Sequence, residues 1–228
     1  MILASALLSA VPCVVHGFTT AEGPVSNLGS GASAEMWASL RAALGVPEAG
    51  VALASQVHGA TVLVPEGPGL AGEGDALTCF HPGLLVAVRI ADCVPILVAG
   101  RDRVAAIHAG WRGLAAGTIA ASLRALESPE GLVAAVGPCI SWPSYEVGEE
   151  VIAGIAASGV PESVFVHEGP RRRHADLRAA AAWQLRAAGV VEVDVLPGCT
   201  FLDPRLHSHR RDGAQAGRQA AVIGLRGC

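Results

Sequence analysis

The chain has 228 residues and a formal net charge of −4; 51% of its residues are hydrophobic and only 16% are charged. With a mean hydropathy of +0.45, it buries enough apolar surface to fold as one domain spanning 1–228, which excludes a disordered chain and a basic nucleic-acid binder. All 16 basic residues are arginine, so phosphate-loop nucleotide hydrolases, pyridoxal enzymes and protein kinases, which depend on a lysine amine, are excluded as well.

The opening MILASALLSAVPCVV is apolar, but no positive charge leads it and Pro12 and His16 interrupt it. It reads as the approach to a buried first strand over 11–18 rather than a secretory signal. A glycine- and serine-rich loop follows at 23–33, then an amphipathic helix from Ala34 to Leu44. The stretch Gly29-Ser30-Gly31-Ala32-Ser33-Ala34 imitates a dinucleotide fingerprint, yet TTAEGPVSNL before it is turn-like where that motif needs a strand.

Residues 51–64 hold two short strands that meet around His58, and a glycine–proline loop over 65–75 ends at Asp75. Three apolar runs follow at 84–90, 94–100 and 103–109. Their connections are too short for helical crossovers, so neighbouring runs are expected to be antiparallel. Arg89 and Asp92 break this apolar region, so it does not read as a membrane span. A helix is predicted over 114–126, a strand at 132–136, helices at 147–157 and 175–188, and strands at 190–196 and 220–225. Helices and strands alternate without a strict βαβ rhythm, which gives an α+β class with mixed sheets.

The cysteines at 13, 79, 93, 139, 199 and 228 form no CxxC motif. Neither a zinc ribbon nor a disulfide scaffold is indicated, and the composition suits a reducing cytoplasm. His58 in SQVHG, Cys93 in IADCVP and His108 in IHAGWRG each lie at a strand end. Two imidazoles and a thiolate leave a fourth position open, the arrangement that catalytic zinc prefers. Asp75 and Asp92 are candidates to orient an imidazole or transfer a proton. The same atoms also permit a Cys93–His108 nucleophilic pair, which would make a cysteine hydrolase. Arginine forks suit phosphate; Arg112, Arg210, Arg211 and Arg218 are candidates for binding an anionic substrate, with Gln56 of SQVHG beside them, whereas Arg171-Arg172-Arg173 reads as solvated charge.

The series SQVHG, EGDALTC, IADCVPIL, HAGWRG, GPCI, SYEVG, ADLRAAAAWQL and SHRRDG resembles the family known as multicopper polyphenol oxidase or laccase domain proteins, also described as zinc-dependent purine nucleoside phosphorylases and adenosine deaminases and including the peptidoglycan editing factor. The resemblance implies two mixed β-sheets packed together and flanked by helices. It also implies a metal triad at His58, Cys93 and His108. Zinc is the expected ion, with copper as the alternative. A purine nucleoside and phosphate are the expected partners of a cytoplasmic monomer or homodimer, and neither nucleic acid nor membrane is expected as a partner. The rival readings are a peptidoglycan-precursor editing hydrolase, a copper oxidase, and a binding protein with a vestigial site. The chain departs from the family at Ala21, where an arginine is expected, at Ser144 and at His209. If the arginine expected at 21 held phosphate, phosphorolysis would be weak relative to deamination.

Overall fold

The computed structural model describes residues 1–29 and 31–227. Ser30 of the fingerprint-like loop and Cys228 lie outside the described residues. In chain order the elements are β1 (Ile2–Leu3), α1 (Ala6–Ser9), β2 (Val14–Thr19), α2 (Ala34–Ala43), β3 (Gly50–Ser55), β4 (Val62–Leu63), β5 (Gly69–Glu73), β6 (Ala76–Cys79), β7 (Leu84–Ile90), β8 (Val94–Ala99), β9 (Val104–Ala109), α3 (Trp111–Ala116), α4 (Thr118–Ala125), β10 (Val133–Val136), α5 (Glu149–Ala157), α6 (Glu162–Phe165), β11 (Val166–His167), β12 (His174–Ala175), α7 (Leu177–Ala187), β13 (Glu192–Val195), α8 (His209–Asp212) and β14 (Gln219–Leu225).

Two six-stranded mixed sheets carry the α+β architecture, ordered β1-β2-β14-β7-β3-β5 and β13-β10-β8-β9-β6-β4. Strand parity assigns the cores, because alternate residues face opposite sides of a sheet. Leu84, Val86 and Val88 of β7 meet Leu97 of β8 and Val104 and Ala106 of β9 in a core between the sheets. The alternate residues Leu85 and Ala87 turn outward onto Leu40 of α2. On the second sheet, Ile96, Val98 and Ile107 face outward onto Ile119 of α4, Ile152 of α5 and Ala181 of α7. Side chains cap two of the flanking helices: the Ser33 hydroxyl accepts from Met36 N at the start of α2, and the Asp176 carboxylate accepts from Ala179 N at the start of α7.

Several expectations are corrected by this topology. Runs β8 and β9 are antiparallel neighbours, but β7 pairs with β14 and β3 in the other sheet, so the three-residue turn at 91–93 crosses between sheets. A positive φ of 91° at Asp92 makes that crossing tight. The 65–75 segment is not all loop: GLAGE pairs parallel to β3 as β5, an exposed edge strand whose burial leaves no apolar signature. The expected 114–126 helix starts earlier, at Trp111, and breaks into α3 and α4 at Gly117, whose φ is +78°. The short elements α6, α8, β11 and β12 carry too few residues for periodicity to reveal. Among the described residues, no helix is long and apolar enough to cross a membrane.

The connections β3 to β4 and β7 to β8 both pass from the first sheet to the second. Since β3 and β7 are parallel, both crossings leave from the same end of the sandwich. The antiparallel pairing of β9 with β8 and β6 brings the end of β9 and the start of β6 to that same end. Leu97 lies at the middle of the inter-sheet core and is fully buried. Leu97→Ala is expected to lower unfolding free energy by about 2–5 kcal/mol, through lost burial and the cavity left behind, as measured by urea titration.

Candidate metal centre

The first crossing carries His58 and the second carries Cys93, while His108 sits next to last in β9. His108 shares the parity of Val104 and Ala106, so its ring points into the inter-sheet layer. The ligand atoms of His58, Cys93 and His108 all lie within 4.8 Å of one another, graded from exposed through half-buried to buried. The two imidazoles meet edge-on, with centroids 4.9 Å apart.

Asp75 organises this cluster. Fully buried at the head of β6, its carboxylate accepts from the backbone N–H groups of Val57 at 3.3 Å, His58 at 2.9 Å and Gly59 at 2.6 Å. Its Oδ1 also lies 2.8 Å from His108 Nδ1. An ionised carboxylate only accepts, so Nδ1 carries the proton and Nε2 is left for a metal. The three N–H bonds hold His58 at a φ of +62°, a left-handed conformation that a non-glycine residue adopts at a cost. Burial opposes ionisation of Asp75, but the His108 ring and the amides of Gly59 and His58 outweigh it and hold the carboxyl below its usual range.

The donors fit a metal. A tetrahedral ion with bonds of ~2.0–2.3 Å sets its ligands ~3.3–3.8 Å apart, so each pair of the triad closes on one by about 1.5 Å at most. Space is kept for it by Gly110, where a Cβ would meet Cys93 Sγ at 2.9 Å and His58 Cδ2 at 3.2 Å. Burial alone would raise the Cys93 thiol, yet the facing His108 and His58 rings lower it to about 6. His108 is pushed up to about 9: burial opposes its charge, and the Cys93 thiolate and Asp75 prevail. At neutral pH the metal-free pair is thus thiolate and imidazolium.

The triad opens onto a cavity of about 840 Å³ lined by Arg89, Arg112, Arg210 and Arg218, with Asp92 as its single acidic residue among the described residues. Arg112 follows Gly110 at the start of α3, its guanidinium 4.5 Å over the Trp111 ring. Arg210 lies 4.9 Å over the Tyr145 ring and donates to Glu146 O at 3.2 Å. Burial and the neighbouring Cys93 push the Tyr145 phenol to about 12, so it stays an O–H donor. Among the described residues, none of these four arginines pairs with a carboxylate, whereas Arg173 bridges Glu149 and Glu162, and Arg205 and Arg211 pair with Asp203 and Asp212.

Other expected residues do different work. The Asp92 carboxylate accepts from the Thr200 hydroxyl at 2.5 Å and from Arg210 N at 2.6 Å, so it ties the cavity wall together. Gln56 lines the cavity, but both ends of its amide bond Arg89 backbone at 2.8 Å, which clamps β3 to β7. Arg211 is not brought to the cavity; it binds the carbonyls of Thr200, Phe201, Asp203 and Leu206. Ala21 also lies outside the lining, its N–H bonded to Arg205 O at 2.7 Å. Ser144 packs 3.9 Å from the Cys199 thiol, and His209 lines the cavity. Arg89 was legible only as a charge in an apolar strand, a signal that could have marked it as a residue at a polar pocket.

The fold and site define a two-sheet protein with an open His–Cys–His metal-type triad under an arginine-lined cavity. The chain belongs to the family described as multi-copper polyphenol oxidoreductase laccase, whose model matches residues 30–226. It is 40% identical over 230 aligned positions to a purine nucleoside phosphorylase of Deinococcus radiodurans, covering 93% of this chain and 89% of the relative. A purine nucleoside phosphorylase of Pseudomonas aeruginosa is 41% identical over 75% of this chain and 72% of its own length. Among solved structures, a Neisseria meningitidis protein superposes with a TM-score of 0.85 at 31% identity, covering 100% of this chain and 99% of its own. YlmD from Geobacillus stearothermophilus gives 0.84 at 29% identity, with 95% and 93% covered.

Two predictions concern the triad. Asp75→Asn replaces an acceptor of four bonds by a group that must donate at one end, so metal affinity is expected to fall ~10- to 100-fold in a chelator competition assay. The second is a pH dependence. In the metal-free protein, the thiolate's contribution to stability shrinks as pH falls from about 9 to about 6, while the imidazolium's shrinks as pH rises from about 6.5 to about 9. These slopes oppose each other, so the pair leaves stability nearly flat between them. Metal must displace one proton from His108, so zinc affinity is expected to rise about tenfold per pH unit from about 6 to about 9 and then level off, as read by the same competition at fixed ionic strength.

Proposed function

We propose that the protein is a zinc-dependent cytoplasmic enzyme that cleaves purine nucleosides by phosphorolysis, with deamination of adenosine as a second reaction of the same site. One observation carries the reading: an open N,N,S triad faces a cavity whose charged walls are arginines without carboxylate partners. The names of the relatives support it. Zinc is favoured over copper by chemistry, because imidazole and thiolate donors with an open position suit a redox-inert Lewis acid. A multicentre copper oxidase would need further clusters of histidine, and among the described residues only this one appears.

His58, Cys93 and His108 would hold the ion, which when bound supplies Lewis-acid polarisation and acidifies water. Asp75 fixes the His108 ring and is saturated by its own hydrogen bonds, so it serves as a positioning residue. Tyr145, kept protonated, can donate to a heteroatom of the base. The arginines concentrate phosphate, whose oxygen forms the new bond to C1′ as the glycosidic C–N bond breaks; the electron pair leaves with the purine, which takes up a proton. In deamination water is the nucleophile instead: its oxygen forms a bond to C6 of the adenine as the C6–N bond breaks, and the amino group takes up a proton from that water and leaves as ammonia.

The test is product analysis on adenosine and inosine with millimolar phosphate. Free base with ribose 1-phosphate is expected from both nucleosides, with some inosine from adenosine, and all products should be lost with Cys93→Ala together with bound zinc. Neither free base nor inosine from zinc-loaded protein would refute the reading. Activity lost with zinc retained in Cys93→Ala would instead assign the thiol as a nucleophile.

A further inference from the structure

The four cavity arginines do not form one group. Arg112 and Arg210 rest on Trp111 and Tyr145 beside Cys93. Arg89 and Arg218 belong elsewhere, as strand register shows: Arg89 lies opposite Ala220 in the β7–β14 pair, so Arg218 is its diagonal neighbour. Leu85, Ala87, Ala220 and Val222 share their parity and pack on the outer face of the first sheet, toward α2. The triad sits on the inner side, so the cavity wraps round the strand ends and reaches the arginine pair on the opposite face.

That pair is built and uncompensated. Arg89 Nη2 donates to Ala54 O at 3.2 Å, and Arg218 Nη1 donates to the carbonyls of Ala216 at 2.7 Å and Gly217 at 2.8 Å. These bonds fix both planes and leave Nε and Nη1 of Arg89 and Nε and Nη2 of Arg218 without a hydrogen-bond partner among the described residues. Burial and the facing Arg218 guanidinium make Arg89 easier to deprotonate, as expected of like charges with no side-chain carboxylate beside them among the described residues. Beside them the fingerprint-like segment finds a place. Gly29 and Gly31 line the cavity with Gly217, and Asn27 Oδ1 stitches the two loops by accepting from Arg218 N at 2.9 Å and Gly29 N at 3.1 Å. Glycine lets a bulky anion approach the backbone where a side chain would exclude it.

We infer that Arg89 and Arg218, walled by Gly29, Gly31 and Gly217, form a phosphate subsite separate from the metal triad. Its ligand is a phosphate dianion, either free inorganic phosphate or the monoester phosphate of a nucleotide. Two guanidinium planes suit several oxygens at once. The inference rests on the nucleoside reading for why phosphate is needed, but not for whether it binds.

The test is calorimetric titration of inorganic phosphate and, separately, of adenosine 5′-monophosphate into the purified protein and its Arg89→Gln and Arg218→Gln variants, with folding checked by circular dichroism. Each variant is expected to weaken binding tenfold or more. Loss for inorganic phosphate assigns the subsite to the free ion, and loss for the nucleotide alone assigns it to a phosphate carried by the substrate. Unchanged affinity for both ligands, or no binding of either to the parent protein, overturns the inference. Should Arg89→Gln fail to fold, Arg218→Gln, at a partly exposed residue whose side chain has only local backbone partners, decides it. Because no turnover is involved, a protein inactive on nucleosides that still shows these losses would refute the functional reading and leave the subsite standing.

Discussion

A single buried carboxylate holds the functional end of this molecule together. Asp75 gathers three consecutive backbone N–H groups and the His108 ring. An ionised group fully removed from water is tolerable only when its lone pairs are satisfied, and here four donors do so. The dependence is mutual. Without the carboxylate, the 57–59 turn would lose the acceptor of three amides, His58 would have no reason to keep its left-handed backbone, and the His108 ring could take either tautomer. One side chain therefore sets the backbone carrying the first ligand and the orientation of the last.

The topology supplies the third ligand and the room around it. Two crossings between sheets leave from one end because β3 and β7 are parallel, and the second delivers Cys93 beside His108. Neither crossing could be lengthened freely, since both are anchored: Gln56 clamps the first to β7, and Asp92 ties the second to Thr200 and Arg210. The C-terminal segment is thereby pinned over the triad and becomes a cavity wall. Gly110 keeps the centre open.

Charge is distributed to match. The chain is negative overall, at −4, yet inside the cavity four arginines meet, among the described residues, one acidic residue that is itself occupied. Outside it, Arg103, Arg172, Arg173, Arg205 and Arg211 pair with neighbouring acids. A positive cavity in a protein of negative net charge draws small anions inward.

The sequence by itself determined the α+β class, the apolar strands and the three candidate ligands, because each follows from local information: period-two burial, turn residues, and the donor chemistry of histidine and cysteine within recognisable motifs. The lack of lysine fixed which anion chemistry remained, and the motifs around His58, Cys93 and His108 carried the family. Only the tertiary structure decided the rest. That β7 and β8 lie in different sheets, that Asp75 orients His108 while Asp92 braces a wall, and that Arg211 and Ala21 stand outside the cavity depend on which strand ends meet. Arg89 read as an interruption in an apolar run until register placed it diagonally across from Arg218. A side chain's partners across a sheet lie far away in sequence, and no local pattern records them.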